Sequence, residues 1–268
     1  DSNNEKVINA GIVTANYVYG QLGGNSDSVR NTTVGTNAGD AFSGTDATDN
    51  TLIGYDAGTE ITTGDANTAV GRGALDANTT GGANVAIGYQ ALDSNTTASN
   101  NIAIGYAALG ANTTGANNVA IGYNTLDAET GLSGITAVGY AALSALSTGT
   151  GGVAVGYRAL TANTTGNNNT AVGYDAGAAI TTGGQNVVVG TLALDACTTG
   201  SGNVAIGYLA LTANTTASNN IAIGYNALTA NTTGYTNLAV GVNALDACTT
   251  GAQNTALGYN CLGALTTA

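Results

Sequence analysis

Val85-Ala86-Ile87-Gly88-Tyr89-Gln90-Ala91-Leu92-Asp93-Ser94-Asn95-Thr96-Thr97 is one turn of a pattern that returns every seventeen residues. Its glycine keeps the count. Gly54, Gly71, Gly88, Gly105, Gly122, Gly139, Gly156, Gly173, Gly190, Gly207, Gly224, Gly241 and Gly258 follow one another without a slip. A unit this short cannot own a core, so a strict repeat of it implies coils that stack and bury one another's faces. The expected fold is all-β: a parallel β-solenoid or β-roll of about 14 coils of 17 residues over 31–268, preceded by a non-repeat segment at 1–30.

Around each glycine the columns alternate. Three residues before it stands Val, Ile, Leu or Thr, and one before it only Val, Ile or Leu. One after it is Tyr in ten of thirteen coils, replaced by Arg72, Thr191 and Val242, and the intervening positions are mostly Ala or the glycine itself. Alternation of period two is a β-strand with an aliphatic and tyrosine face and a smooth one. Leu92, Leu109, Leu126, Leu143 and Leu160 form a column four residues past the glycine, broken elsewhere by Gly58 and Gly177. The Thr-Thr pair reads as a second short strand, and the small polar residues and Asn after it as the returning turn. Neither Asn-Gly nor Asp-Gly occurs, which disfavours a hairpin meander and favours parallel stacking.

Fixing seventeen residues costs roughly 1–2 kcal/mol each in backbone entropy, whereas three large apolar side chains return roughly 1.5–3 kcal/mol each. Only the ladder between coils makes the array stable.

The composition excludes several classes of function. There is no Pro, Met, Trp or His, and charged residues make up 7%. The formal net charge of −12 reflects a shortage of bases, with Lys6, Arg30, Arg72 and Arg158 the four cations. Nucleic acid is a poor partner for such a surface, and no apolar run approaches the roughly 20 residues of a membrane span. Recurrent Val, Ile, Leu and Tyr argue against disorder. A start at Asp1 suggests a processed chain, consistent with removal of a secretion signal.

Residues 1–30 stand outside the repeat and carry strand-like stretches, Val7-Ile8 and Gly11–Gly20. A first irregular coil opens at Asn31-Thr32-Thr33-Val34-Gly35, nineteen residues ahead of Gly54, with its two extra residues expected within 43–48. The C-terminal Leu265-Thr266-Thr267-Ala268 reads as ordinary coil, and Asp1-Ser2-Asn3 continues its pattern across a junction. These residues, with Ile12, Val13, Tyr17 and Tyr19, are the expected assembly contacts of a head-to-tail filament, 1–30 being an assembly or capping segment.

The candidate sites fall in columns of the repeat. Seven residues past the glycine the chain accepts Asn78, Asn95, Asn112, Asn163, Asn214 and Asn231, but also Ile61, Leu146, Ile180, Cys197, Cys248 and a single acid, Glu129. A position shared by amides and aliphatics is expected to be an internal asparagine ladder, although each of the six asparagines begins a glycosylation sequon. Cys197 and Cys248 lie three repeats apart, about 14 Å at a coil spacing of 4.7–4.9 Å, beyond disulfide reach. Cys261 replaces an alanine and reads as a small apolar thiol. Asp76, Asp93, Asp127, Asp195 and Asp246 share one column and read as solvated carboxylates rather than calcium ligands. Paired threonines raise an ice-binding reading, weakened because neighbours on a strand face opposite ways. No His, metal-ligand cluster or isolated nucleophile is present, so no catalytic residue, metal or cofactor is assigned.

Asn-Val-Ala-Ile-Gly-Tyr-Gln-Ala-Leu resembles the repeats of bacterial and phage fibre proteins, and Val-Ala-Ile-Gly is similar to the head repeat of YadA-like trimeric adhesins. The resemblance spans 31–268 and implies a parallel β-roll, typically left-handed and trimeric. The seventeen-residue period is longer than the usual adhesin coil. The expected function is therefore a non-enzymatic structural subunit of an extracellular fibre or filament, stacked end to end. The alternatives are the shaft of a phage tail fibre or trimeric surface adhesin, then an ice-binding solenoid. The partners so implied are further copies of the chain, as homopolymer or homotrimer, and a host or cell surface.

Overall fold

The computed structural model describes residues 30–42 and 46–267. Expectations placed on Asp1, Ser2, Asn3, Ile12, Val13, Tyr17, Tyr19 and Ala268 lie outside the described residues. Fourteen three-residue strands, from β1 (Thr32–Val34) and β2 (Thr51–Ile53) through β4 (Val85–Ile87) and β5 (Ile102–Ile104) to β14 (Thr255–Leu257), form one sheet in sequence order. Every pairing is parallel, and β4 meets β5 as Val85 to Ile102, Ala86 to Ala103 and Ile87 to Ile104. The chain is a parallel β-solenoid.

The first coil departs from this offset. Thr32 pairs with Thr51, nineteen residues on, while Thr48 meets Asp65 at the regular seventeen. The two extra residues therefore fall before Thr48, and part of that loop, 43–45, is outside the described residues.

Beyond its strand each coil turns through left-handed backbone. In the coil of β4 the glycine Gly88 has φ 136°, and Gln90 and Leu92 follow at 51° and 54°. Left-handed conformation costs a side-chain-bearing residue roughly 1–2 kcal/mol, so these turns need compensation from the neighbours. They receive it in both directions: the Gln90 N–H donates to the Arg72 carbonyl of the preceding coil at 3.0 Å, and the Leu92 N–H to the Ala108 carbonyl of the next, also at 3.0 Å. The ladder continues where the strand has stopped.

Two expectations change. The threonine pair is not a strand. The N–H groups of Thr79 and Thr80 both donate to one carbonyl, that of Thr96, at 2.8 and 3.3 Å. Converging donors require a bend, because an extended strand points successive N–H groups apart. The count of three large buried side chains per coil is also too high. Leu92, Leu109, Leu126, Leu143 and Leu160 are fully buried, together with the strand alanines Ala86, Ala103 and Ala120. Val85 and Ile87 point the other way, and Ile87 is 37% exposed. Most coils fill their interior with one leucine, the strand alanine and two asparagines, and where Ile135 and Leu146 take the asparagine positions they are buried with Leu143, so the bulky strand residues face outward.

Candidate assembly face

Inside the rod, two asparagine columns converge on one acceptor per coil. Asn67 and Asn78 both donate their amides to the Gly81 carbonyl at 2.9 Å. Asn84 and Asn95 do the same at Ala98, at 2.9 and 3.0 Å, and Asn101 and Asn112 at Gly115, at 2.9 and 3.0 Å. Along the axis Asn95 donates to Asn78 at 2.8 Å and Asn112 to Asn95 at 3.2 Å. In the other column the backbone N–H of Asn84 reaches Asn67 Oδ1 and that of Asn101 reaches Asn84 Oδ1, each at 3.0 Å. Buried amides so satisfied fix the register at about 1 kcal/mol per bond. The sequons at Asn78, Asn95 and Asn112 are enclosed with them.

Asn67, Asn84, Asn101 and Asn118 read as turn residues in the sequence but are completely buried. The signal available was their recurrence fourteen residues ahead of the small residue whose carbonyl they cap. Cysteine replaces asparagine at the same acceptors. Cys197 Sγ lies 3.8 Å from the Gly200 carbonyl, which also accepts from Asn186, and Cys248 Sγ lies 3.8 Å from that of Gly251. Burial pushes the Cys197 thiol up to about 11, so it stays neutral and unreactive near pH 7. Cys261 is half-buried.

Glu129 interrupts the inner column. Its Oε2 accepts the Leu132 N–H at 2.7 Å, whereas Oε1 is buried without a partner. Desolvation is the main cause that raises its carboxyl above the ordinary value. The folded state therefore holds the proton more tightly than the unfolded chain. Its penalty is absent below the ordinary carboxylate value and grows as pH rises through that value toward the folded one. Glu129→Gln is expected to raise the melting temperature at pH 7 by a few degrees, since 1 kcal/mol shifts Tm by about 2–4 °C in a chain of this size. At pH 4 the difference should nearly vanish. Paired thermal melts at the two pH values check this, and an equal shift at both would refute the titration account.

The aspartate column is not fully solvated. Asp76, Asp93, Asp127, Asp195 and Asp246 are half-buried, and desolvation raises the carboxyls of Asp93 and Asp127. A carboxylate at the mouth of a turn loses part of its hydration to the flanking coils. No group of three or more His, Cys, Asp or Glu residues among the described residues is arranged to hold a metal.

The threonine ranks differ from each other. Thr79, Thr96 and Thr113 donate their hydroxyls to the next coil's Thr96, Thr113 and Thr130 carbonyls at 2.9, 3.1 and 2.6 Å. The second rank, Thr80, Thr97 and Thr114, is exposed. One free rank does not make the double array an ice surface would require.

The outward side of the sheet is the distinctive surface. Tyr89, Tyr106, Tyr123, Tyr140, Tyr157 and Tyr174 stack with ring centroids 5.0–5.4 Å apart and planes within 12° of parallel. Arg72 occupies a tyrosine position and keeps the stack continuous. Its guanidinium lies 5.7 Å from the Tyr55 ring centroid and 5.5 Å from that of Tyr89, and it donates to the Tyr89 hydroxyl at 3.2 Å. Beside the tyrosines run two columns of Val, Ile, Leu and Thr, with Ile53, Ile87, Ile102, Val187, Ile221 and Leu238 among the exposed members. Leu265 and Thr266, expected as head-to-tail contacts, belong to the last coil: Leu265 packs against the core and the Thr266 carbonyl accepts the Thr249 N–H at 2.9 Å.

No helix among the described residues is long and apolar enough to cross a membrane. No family model, curated protein or solved structure matches the chain.

Proposed function

We propose that this chain is a structural subunit of an extracellular fibre or filament, assembled by end-to-end stacking of β-solenoid coils. The observation that carries the reading is the uninterrupted fourteen-strand parallel ladder. Each coil donates hydrogen bonds to both neighbours and accepts from both, so any coil is a template for another of the same sequence pattern. At about 4.8 Å per coil the thirteen steps make a rod about 62 Å long. The asparagine amides, the first threonine of each pair and the stacked tyrosines add side-chain links from coil to coil, as suits a load-bearing element.

Deleting residues 1–30 is expected to leave a folded rod that no longer forms filaments. Circular dichroism and negative-stain microscopy read the two outcomes separately, and long filaments from the truncated chain would overturn the end-to-end role of that segment.

The second reading, the shaft of a phage tail fibre or trimeric surface adhesin, is favoured by the exposed aliphatic and tyrosine face, which a shaft of several rods would cover. Images of the native particle distinguish the two: continuous filaments support the first reading, short spikes on a virion or cell the second.

A further inference from the structure

We propose that the outward face of the sheet is a lateral interface, occupied by the same face of a second copy of this chain lying alongside with its axis parallel to the first. This deepens the fibre reading and rests on it only in taking the rod as an assembling unit.

Four observations point to that occupant. The first is size: a stripe from the Val85 column to the Tyr89 column spans four residue steps, at most about 13 Å, by about 60 Å of rod, on the order of 800 Å², aliphatic and aromatic but for the threonines of its first column, such as Thr68, Thr136 and Thr170, and a few single replacements. A monomer's largest apolar patch is roughly 300–600 Å², whereas each partner in a stable complex buries about 800 Å². The second is charge. The chain carries −12, yet the three columns of this face hold no carboxylate, and their one cation, Arg72, is held between two tyrosines. Charge depletion with tyrosine enrichment is the composition of an interface centre.

The third is periodicity. A partner must offer ridges at the coil spacing over the whole length of the rod, and a second copy does so by construction. The fourth excludes a competing ligand. Sugars bind protein aromatics by lying on ring faces, and along the run from Tyr89 to Tyr174 the inner rings have both faces covered by neighbouring rings at 5.0–5.4 Å, leaving edges and hydroxyls outward. Edges and aliphatic side chains suit another protein surface.

The test uses the full chain and two readouts. Light scattering is expected to give twice the 25.9 kDa of the single chain or a higher multiple. Nitration with tetranitromethane, mapped by mass spectrometry, is expected to spare Tyr106, Tyr123 and Tyr140 and to modify Tyr235, which is 54% exposed outside this face. In a lone rod the three stacked tyrosines, 45–47% exposed, would react like Tyr235. The variant Ile87→Glu, Ile121→Lys, Val155→Glu places charges on alternate coils, so no two new charges stack directly and the core is untouched. It should restore nitration of the three tyrosines while keeping the circular dichroism of the parent. Equal nitration of all four tyrosines in the parent overturns the proposal, with or without a folded variant. Filaments that form with the face fully reactive would leave the end-to-end reading standing and sink this one. Protected tyrosines without filaments would do the reverse.

Discussion

Gly105→Ala is expected to break the rod in the middle. Gly105 has φ +136°, and a Cβ there would stand 2.6 Å from the carbonyl carbon of Gly122 and closer still to its oxygen. The backbone cannot give way, because the Gly105 N–H is bonded to the Ile87 carbonyl at 2.8 Å and the Gly122 N–H to that of Ile104 at 2.7 Å. Relief requires opening the contact between two coils, a loss of more than about 4 kcal/mol, in the range reserved for a few drastic mechanisms. Hydrogen exchange should show protection collapsing around residues 100–125 and persisting far from them. Gly134→Ala is the comparison. Gly134 is also left-handed, at φ +74°, but a Cβ would meet nothing within 4 Å, so the cost should be only the roughly 1–2 kcal/mol of backbone strain. Equal destabilisation by the two variants would show that conformation, not the close approach of coils, makes the glycine column invariant in this chain.

Leu143→Asp is expected to have an effect of similar size for a different reason. Leu143 is fully buried between the Leu126 and Leu160 coils, and an aspartate there would bury a charge among leucines or leave a protonated acid in an apolar column, a loss of several kcal/mol. Asp93→Asn makes a useful counterpart. Asp93 is half-buried with its carboxyl raised by desolvation, so replacing it with a neutral amide should be close to neutral or slightly stabilising at pH 7. Urea unfolding of the two variants checks the assignment of inside and outside, and matching midpoints would refute it.

Much of the architecture was legible because a solenoid repeats its environment. A column that holds Asn95, Leu146, Ile180 and Cys197 describes one buried site that either satisfies an amide or needs none. What the columns could not supply was direction. Alternation in Val85-Ala86-Ile87 shows that two faces exist, and hydrophobicity alone points Val and Ile inward. The interior is filled by Ala86, Leu92 and the amides of Asn84 and Asn95, a fact of cross-section that appears once the coil closes. Asn84 was similarly ambiguous, because asparagine suits both an open turn and a buried amide whose hydrogen bonds lie in the neighbouring coils. Thr79-Thr80 has the β-branched composition of a strand, but two donors sharing one carbonyl is a pairing no local pattern encodes. The candidate face was therefore visible as a set of residues and not as a surface.

The ladder's hydrogen bonds run along the rod, and this decides how the molecule yields under tension. A pull along the axis loads the joins between coils in series and in line with their bonds, so coils peel away one at a time. Each released coil pays out seventeen residues, about 58 Å of extended chain, in place of the roughly 4.8 Å it occupied. One such rod would therefore lengthen by a repeating rupture step, and its slack is stored in units set by the spacing of its glycines.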